Sequence, residues 1–97
     1  MKGIQYNLIA EALGKKGQTA YWLSNILGVS NATALRWCAN ESQPPLPVLF
    51  EIAAALKVEP RSLLVSLKTV AQELPERYRE IEELKKIYPK KRGKKKK

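Results

Sequence analysis

Apolar residues recur along this chain at the three- and four-residue intervals of amphipathic helices, broken at intervals by glycine, proline and short polar runs. Ile4, Leu8, Ile9, Ala12 and Leu13 predict a first helix over residues 4–13, closed by the stretch Gly14 to Gly17. Thr19 is a natural N-cap for a second helix with Leu23, Ser24 and Leu27 on its inner side, and Gly28 suits its left-handed end. Ser30 caps a third helix that runs to about Ala39. Residues 40–45, Asn-Glu-Ser-Gln-Pro-Pro, read as a loop. Leu46, Leu49, Ile52, Ala53 and Leu56 then form a helical stripe. Pro60 opens a fifth helix whose apolar positions Leu63, Leu64, Leu67, Val70, Ala71 and Leu74 keep their spacing up to Pro75. Within it, Val65 to Val70 could also be read as a short strand, but no strand is clearly signalled. A last amphipathic helix over about 76–88 carries Tyr78, Ile81, Leu84 and Tyr88 on one side. The expected class is all-α.

The segment from Ala20 to Trp37 carries the most chemistry. Two short helices joined by a tight turn at Gly28 must cross steeply, and Ser24 supplies a small residue where they touch. Leu23, Leu27, Val29, Ala34 and Trp37 would lock the pair to the core. That leaves Ser30, Asn31, Ala32, Leu35, Arg36 and Ala39 outward on the third helix, a face suited to base edges in the DNA major groove. Arg36 could pair with guanine O6 and N7, Asn31 with adenine N6 and N7, and Ala32 and Leu35 could touch thymine methyls. Around this helix, Thr19, Tyr21, Thr33, Asn40, Ser42 and Gln43 are candidate phosphate ligands. Trp37 is expected in the core, and Tyr21 and Trp22 on the outer side of the second helix.

Charge alters the picture only once it is placed along the 97 residues. The net charge is +9, from 18 Lys and Arg against 9 Glu. All nine acids and nine of the bases precede residue 85, so the first 84 residues are neutral overall. The whole excess lies from Lys85 to Lys97, and the end of that run has no apolar residue with which to fold. Residues 89–97 are therefore expected to be disordered and to follow phosphates electrostatically. No apolar run of about 18 residues is present and the N-terminus lacks a signal-peptide core, so no membrane association is expected. The single cysteine, Cys38, fits a reducing cytoplasm or nucleoid, where it would be a small buried hydrophobe. There is no histidine, and no metal or acid–base constellation appears, so neither a cofactor nor enzyme activity is expected.

The residues from Asn7 to Leu64 resemble the phage-repressor, Cro/C1-type (XRE) helix-turn-helix family. The resemblance is carried by Thr19, Leu23, Ser24, Leu27-Gly28-Val29-Ser30, Thr33, Arg36-Trp37, Asn40, Gln43-Pro44, Leu46, Leu49, Ile52-Ala53, Ala55-Leu56, Val58 and Leu63-Leu64. It implies a five-helix, lambda-repressor-like domain over residues 4–66 and a role in transcription, usually as a two-fold dimer on an operator. Residues 67–88 would then be a helical extension available for dimerisation. The runner-up implication is an antitoxin that binds a toxin protein and its own operator. Two departures stand out. Ala20 replaces the phosphate-contacting Gln usual after the N-cap, and Cys38-Ala39-Asn40 replaces Glu-Asn-Gly, with Asn40 able to take the left-handed turn of that glycine.

Overall fold

A computed structural model describes residues 4–88 of the chain. The expectation for the basic tail, residues 89–97, lies outside the described residues. Six α-helices follow in order: α1 Ile9–Lys15, α2 Ala20–Leu27, α3 Asn31–Cys38, α4 Leu46–Leu56, α5 Leu67–Glu73 and α6 Pro75–Ile87, with a 3-10 turn at Pro60–Leu63 between α4 and α5. No strand occurs among the described residues, only an isolated antiparallel bridge between Asn7 and Leu64. The class is all-α. The chain divides into two compact units, the first ending at Ser66 and the second beginning at Leu67.

The first unit is built on one apolar cluster of Ile9, Leu13, Leu23, Trp37, Leu49, Ile52, Ala53, Leu56 and Leu63, with Trp22, Leu27, Val29 and Cys38 packed against it. Local chemistry sets its helix ends. The Thr19 hydroxyl accepts the Trp22 N–H (3.1 Å) at the start of α2. The Ser30 hydroxyl accepts the Thr33 N–H (3.0 Å) at the start of α3. Caps of this kind are each worth about 1 kcal/mol of helix stability. Gly28 ends α2 at φ 72°, where a side chain would be strained, and the Val29 N–H closes onto the Ser24 carbonyl at 3.0 Å. Two residues later α3 begins. Ser24 is buried, and its hydroxyl donates to the Tyr21 carbonyl at 2.7 Å.

Two expected elements are different. The first helix does not begin at Ile4, because residues 4–8 are not helical. Asn7 turns its side chain back to accept the Ile9 N–H (3.0 Å), which starts α1 two residues later. The fifth helix does not run unbroken from Pro60 to Pro75. After the 3-10 turn, Leu64 is extended (φ −116°, ψ 143°), and a new helix starts at Leu67. The extended stretch is claimed by hydrogen bonds to the N-terminal segment: Leu8 N–H to the Leu63 carbonyl (2.7 Å) and Val65 N–H to the Tyr6 carbonyl (3.0 Å). The alternative reading of Val65 to Val70 as a strand is overturned by α5, which takes Leu67 to Val70.

The second unit consists of α5 and α6. Val70 is buried, whereas α6 buries none of its residues. Leu67, Leu84, Ile87 and Tyr88 are all exposed. Its surface ion pairs, Arg77–Glu80, Lys85–Glu82 and Lys86–Glu83, are exposed i, i+3 pairs within one helix and contribute little to stability. No helix among the described residues is long and apolar enough to cross a membrane.

Candidate nucleic-acid interface

The α2–turn–α3 pair divides its residues cleanly by face. On α3, Ala34 and Trp37 are buried, Thr33 and Cys38 half-buried, and Asn31, Ala32, Leu35, Arg36 and Ala39 exposed. The exposed set repeats at i, i+1, i+4, i+5 and i+8, the pattern of one continuous stripe along a helix. It contains no acid, and half the Leu35 surface is open (51%), a large apolar side chain held out on a capped and anchored helix. The Arg36 guanidinium has no partner among the described residues, so its five donors in a planar fork are available to a ligand. A helix with side chains is about 10–12 Å across, close to the roughly 12 Å width of the B-DNA major groove.

Ser30, expected to read bases, spends its hydroxyl on the helix start, accepting the Thr33 N–H and donating to Thr33 Oγ1 at 2.9 Å. The Thr33 hydroxyl accepts in that pair and keeps its own proton to donate. Thr19 accepts one N–H at the α2 N-terminus and keeps its own hydroxyl proton. Tyr21 is well exposed (64%). Trp22, expected beside it on the outer side, is instead half-buried against the core. Ser42 is exposed, with its N–H directed to the Arg36 carbonyl at 3.4 Å.

Asn40 and Gln43 are tied to Asn7. Asn40 adopts φ 60°, the left-handed turn that its position requires. Its Oδ1 accepts the N–H groups of Tyr6 (2.8 Å) and Asn7 (2.9 Å), and its Nδ2 donates to the Asn7 carbonyl (3.2 Å). Gln43 accepts from Asn7 Nδ2 (2.7 Å) and donates to Asn40 Oδ1 (3.1 Å). The residue that organises both, Asn7, was not singled out from the sequence. Its one legible signal is an amide at a position flanked by Ile4, Leu8 and Ile9 in an apolar stripe.

Cys38, on the half-buried side of α3, has its thiol pushed above the ordinary range, first by desolvation and then by the neighbouring Glu11 carboxylate. Alkylation by iodoacetamide should therefore show a midpoint pH above the roughly 8.5 of a free thiol. Glu11→Gln should lower that midpoint, and a midpoint at or below the free value would contradict this environment. Among the described residues no cluster of His, Cys, Asp or Glu could hold a metal ion.

No family model matches the chain. No curated protein matches it either. Among solved structures, it is similar to a crystal structure described as that of a "putative DNA-binding protein" from Bacteroides fragilis, at 42% identity and a TM-score of 0.60, covering 61% of this chain and 95% of that one. With that identity across nearly the full length of the Bacteroides fragilis protein, the chain belongs to the same family.

Proposed function

We propose that this protein is a sequence-specific double-stranded DNA-binding transcriptional regulator of the Cro/C1 type, acting as a repressor in a phage, mobile-element or restriction-modification setting. The observation that carries this reading is the exposed, acid-free face of α3, fixed by a cap at Ser30 and by burial of Ala34 and Trp37 beneath it. The likeness to a protein described as DNA-binding points the same way. The first unit holds four α-helices and a 3-10 turn, and in this reading the turn takes the place of the family's fifth helix. In this reading Arg36, Asn31, Ala32 and Leu35 address base edges, with Ser30 as the cap that aims them. Thr19, Tyr21, Thr33 and Ser42 address phosphates. Asn40 and Gln43 are left out of the phosphate set because Asn7 occupies their side chains. Selection of bound sequences from a random duplex pool tests the reading. Enrichment of a two-fold symmetric site is expected, and recovery of an unenriched pool would refute it.

The second unit supplies the dimer contact in this proposal. Between α5 and α6 lies an open groove of about 630 Å³ lined by Leu67, Ala71, Pro75, Tyr78 and Ile81 among others. A helix pair this short, with Leu67, Ile87 and Tyr88 each more than 60% exposed, has too small a core to hold itself together, and a second copy would cover it. Sedimentation at micromolar concentration should show a dimer. A protein that is monomeric both free and on the selected duplex would overturn this part of the proposal.

A further inference from the structure

Residues Tyr6 to Leu8 are bonded along both edges. One edge meets Leu63 to Val65 through the bridge already described. Along the other, the carboxamide of Asn40 stands where the peptide group of a further strand would stand. It accepts the Asn7 N–H through Oδ1 and donates to the Asn7 carbonyl through Nδ2. The Asn7 side chain, only 1% exposed, then reaches past Asn40. Its Nδ2 donates to the Trp37 carbonyl (3.0 Å) in the last turn of α3 and to Gln43 Oε1 (2.7 Å), and its Oδ1 accepts the Ile9 N–H. No buried side-chain polar atom in the described residues lacks a partner. An amide network whose buried member, Asn7, is fully satisfied leaves no buried hydrogen bond unmet and favours one arrangement.

We infer that Asn7, Asn40 and Gln43 are positioning residues, which fix the C-terminal end of α3 relative to the rest of the unit and thereby set how well it discriminates between sequences. The inference rests on the proposed DNA reading. The turn after α3 by itself asks only for a left-handed residue, and glycine would meet that need without a side chain. Here the side chain of Asn40 makes four hydrogen bonds, to Tyr6, Asn7 and Gln43. Leu35 and Arg36 lie two residues and one residue before the Trp37 carbonyl that Asn7 holds. A bidentate arginine contact needs two parallel bonds of about 2.7–2.9 Å, so a pivot of about an ångström at this end of α3 would forfeit it. Contacts to phosphates tolerate such a pivot better, because a charge on a long side chain can follow its target.

The test uses Asn40→Gly in the full chain, which keeps the turn and removes the amide. Affinity is measured for the duplex most enriched by selection and for a random duplex, well below the melting temperature. In parallel, hydrogen exchange is followed at the amides of residues 37–42 without DNA. Loss of one network partner is expected to weaken the enriched duplex about tenfold while leaving the random duplex little changed, with faster exchange at the end of α3. Gln43→Ala, at an exposed side chain, serves as the second variant should the first fail to fold, and should act in the same direction by about threefold. Equal losses on both duplexes would make Asn40 a plain phosphate ligand and overturn the inference. So would a lowered melting temperature with an unchanged ratio of affinities. If the unaltered protein shows no preferred duplex, the DNA reading itself falls. In that case the exchange rates still decide whether the network holds α3, and unchanged rates would end the inference as well.

Discussion

Replacing Arg36 with alanine should weaken binding to the enriched duplex by about 1–3 kcal/mol and relax the preference at one base pair of each half-site. The guanidinium is exposed and unpartnered among the described residues, and alanine is a strong helix former, so α3 itself should lose almost nothing. The measured loss would thus belong to recognition and not to folding. Titration of the enriched duplex and of its single-base variants checks both parts. Undiminished affinity with an undiminished base preference would remove Arg36 from the reading face. A uniform loss over all duplexes would assign it to phosphate instead.

Truncation after Tyr88 should have its largest effect on salt dependence. The deletion removes seven basic residues, Lys90, Lys91, Arg92 and Lys94 to Lys97, from a chain whose first 84 residues are neutral. The folded part therefore has little long-range attraction for a polyanion, and the terminal run would provide most of it. Each neutralised phosphate contributes about 0.9 to the slope of log affinity against log salt, so engagement of about four side chains implies a slope flatter by about 3–4 per chain after truncation. Such contacts carry no base information, and the enriched sequence should stay the same. Titrations of enriched and random duplex at several salt concentrations are the measurement. An unchanged slope would make the run a solvated end, and a changed sequence preference would mean that it enters a groove.

The parts of this molecule that could be read in the sequence are those specified by neighbours in the chain. Thr19, Gly28 and Ser30 mark the ends of α2 and α3 through bonds to residues within five positions, and Leu49, Ile52, Ala53 and Leu56 declare the inner side of α4 by spacing alone. The exposed stripe on α3 follows from the same arithmetic, since Ala34 and Trp37 were identifiable as its buried side. What escaped depends on partners far along the chain. Asn7 interrupts a helical stripe because its hydrogen bonds go to Trp37, Asn40 and Gln43. The apolar run from Leu63 to Leu74 has perfect helical spacing, yet its Leu63 carbonyl and Val65 N–H are taken by Leu8 and Tyr6. Asn40 and Gln43 looked like free polar loop residues for the same reason. Trp22 was misread because spacing on an eight-residue helix does not say how far a wide side chain can fold back onto the core.

The two-edged pairing of Tyr6 to Leu8 also bears on the order in which the unit becomes stable. Tyr6 to Leu8, synthesised before the helices of the unit, find their partners at positions 37–43 and 63–65, so this segment has nothing to bond while the helices between are being made. Helices form in about a microsecond or less, whereas long loops close against a growing entropic cost. The helix pair α2–α3 can therefore assemble from local contacts on a growing chain, with Asn7 still solvated. Closure waits until Val65 has emerged, which makes this segment, made ahead of the helices, the last to be secured. In the finished protein the same segment should be among the first to open, releasing the amides of Tyr6, Asn7 and Val65 together as one cooperative exchange unit ahead of the helical core.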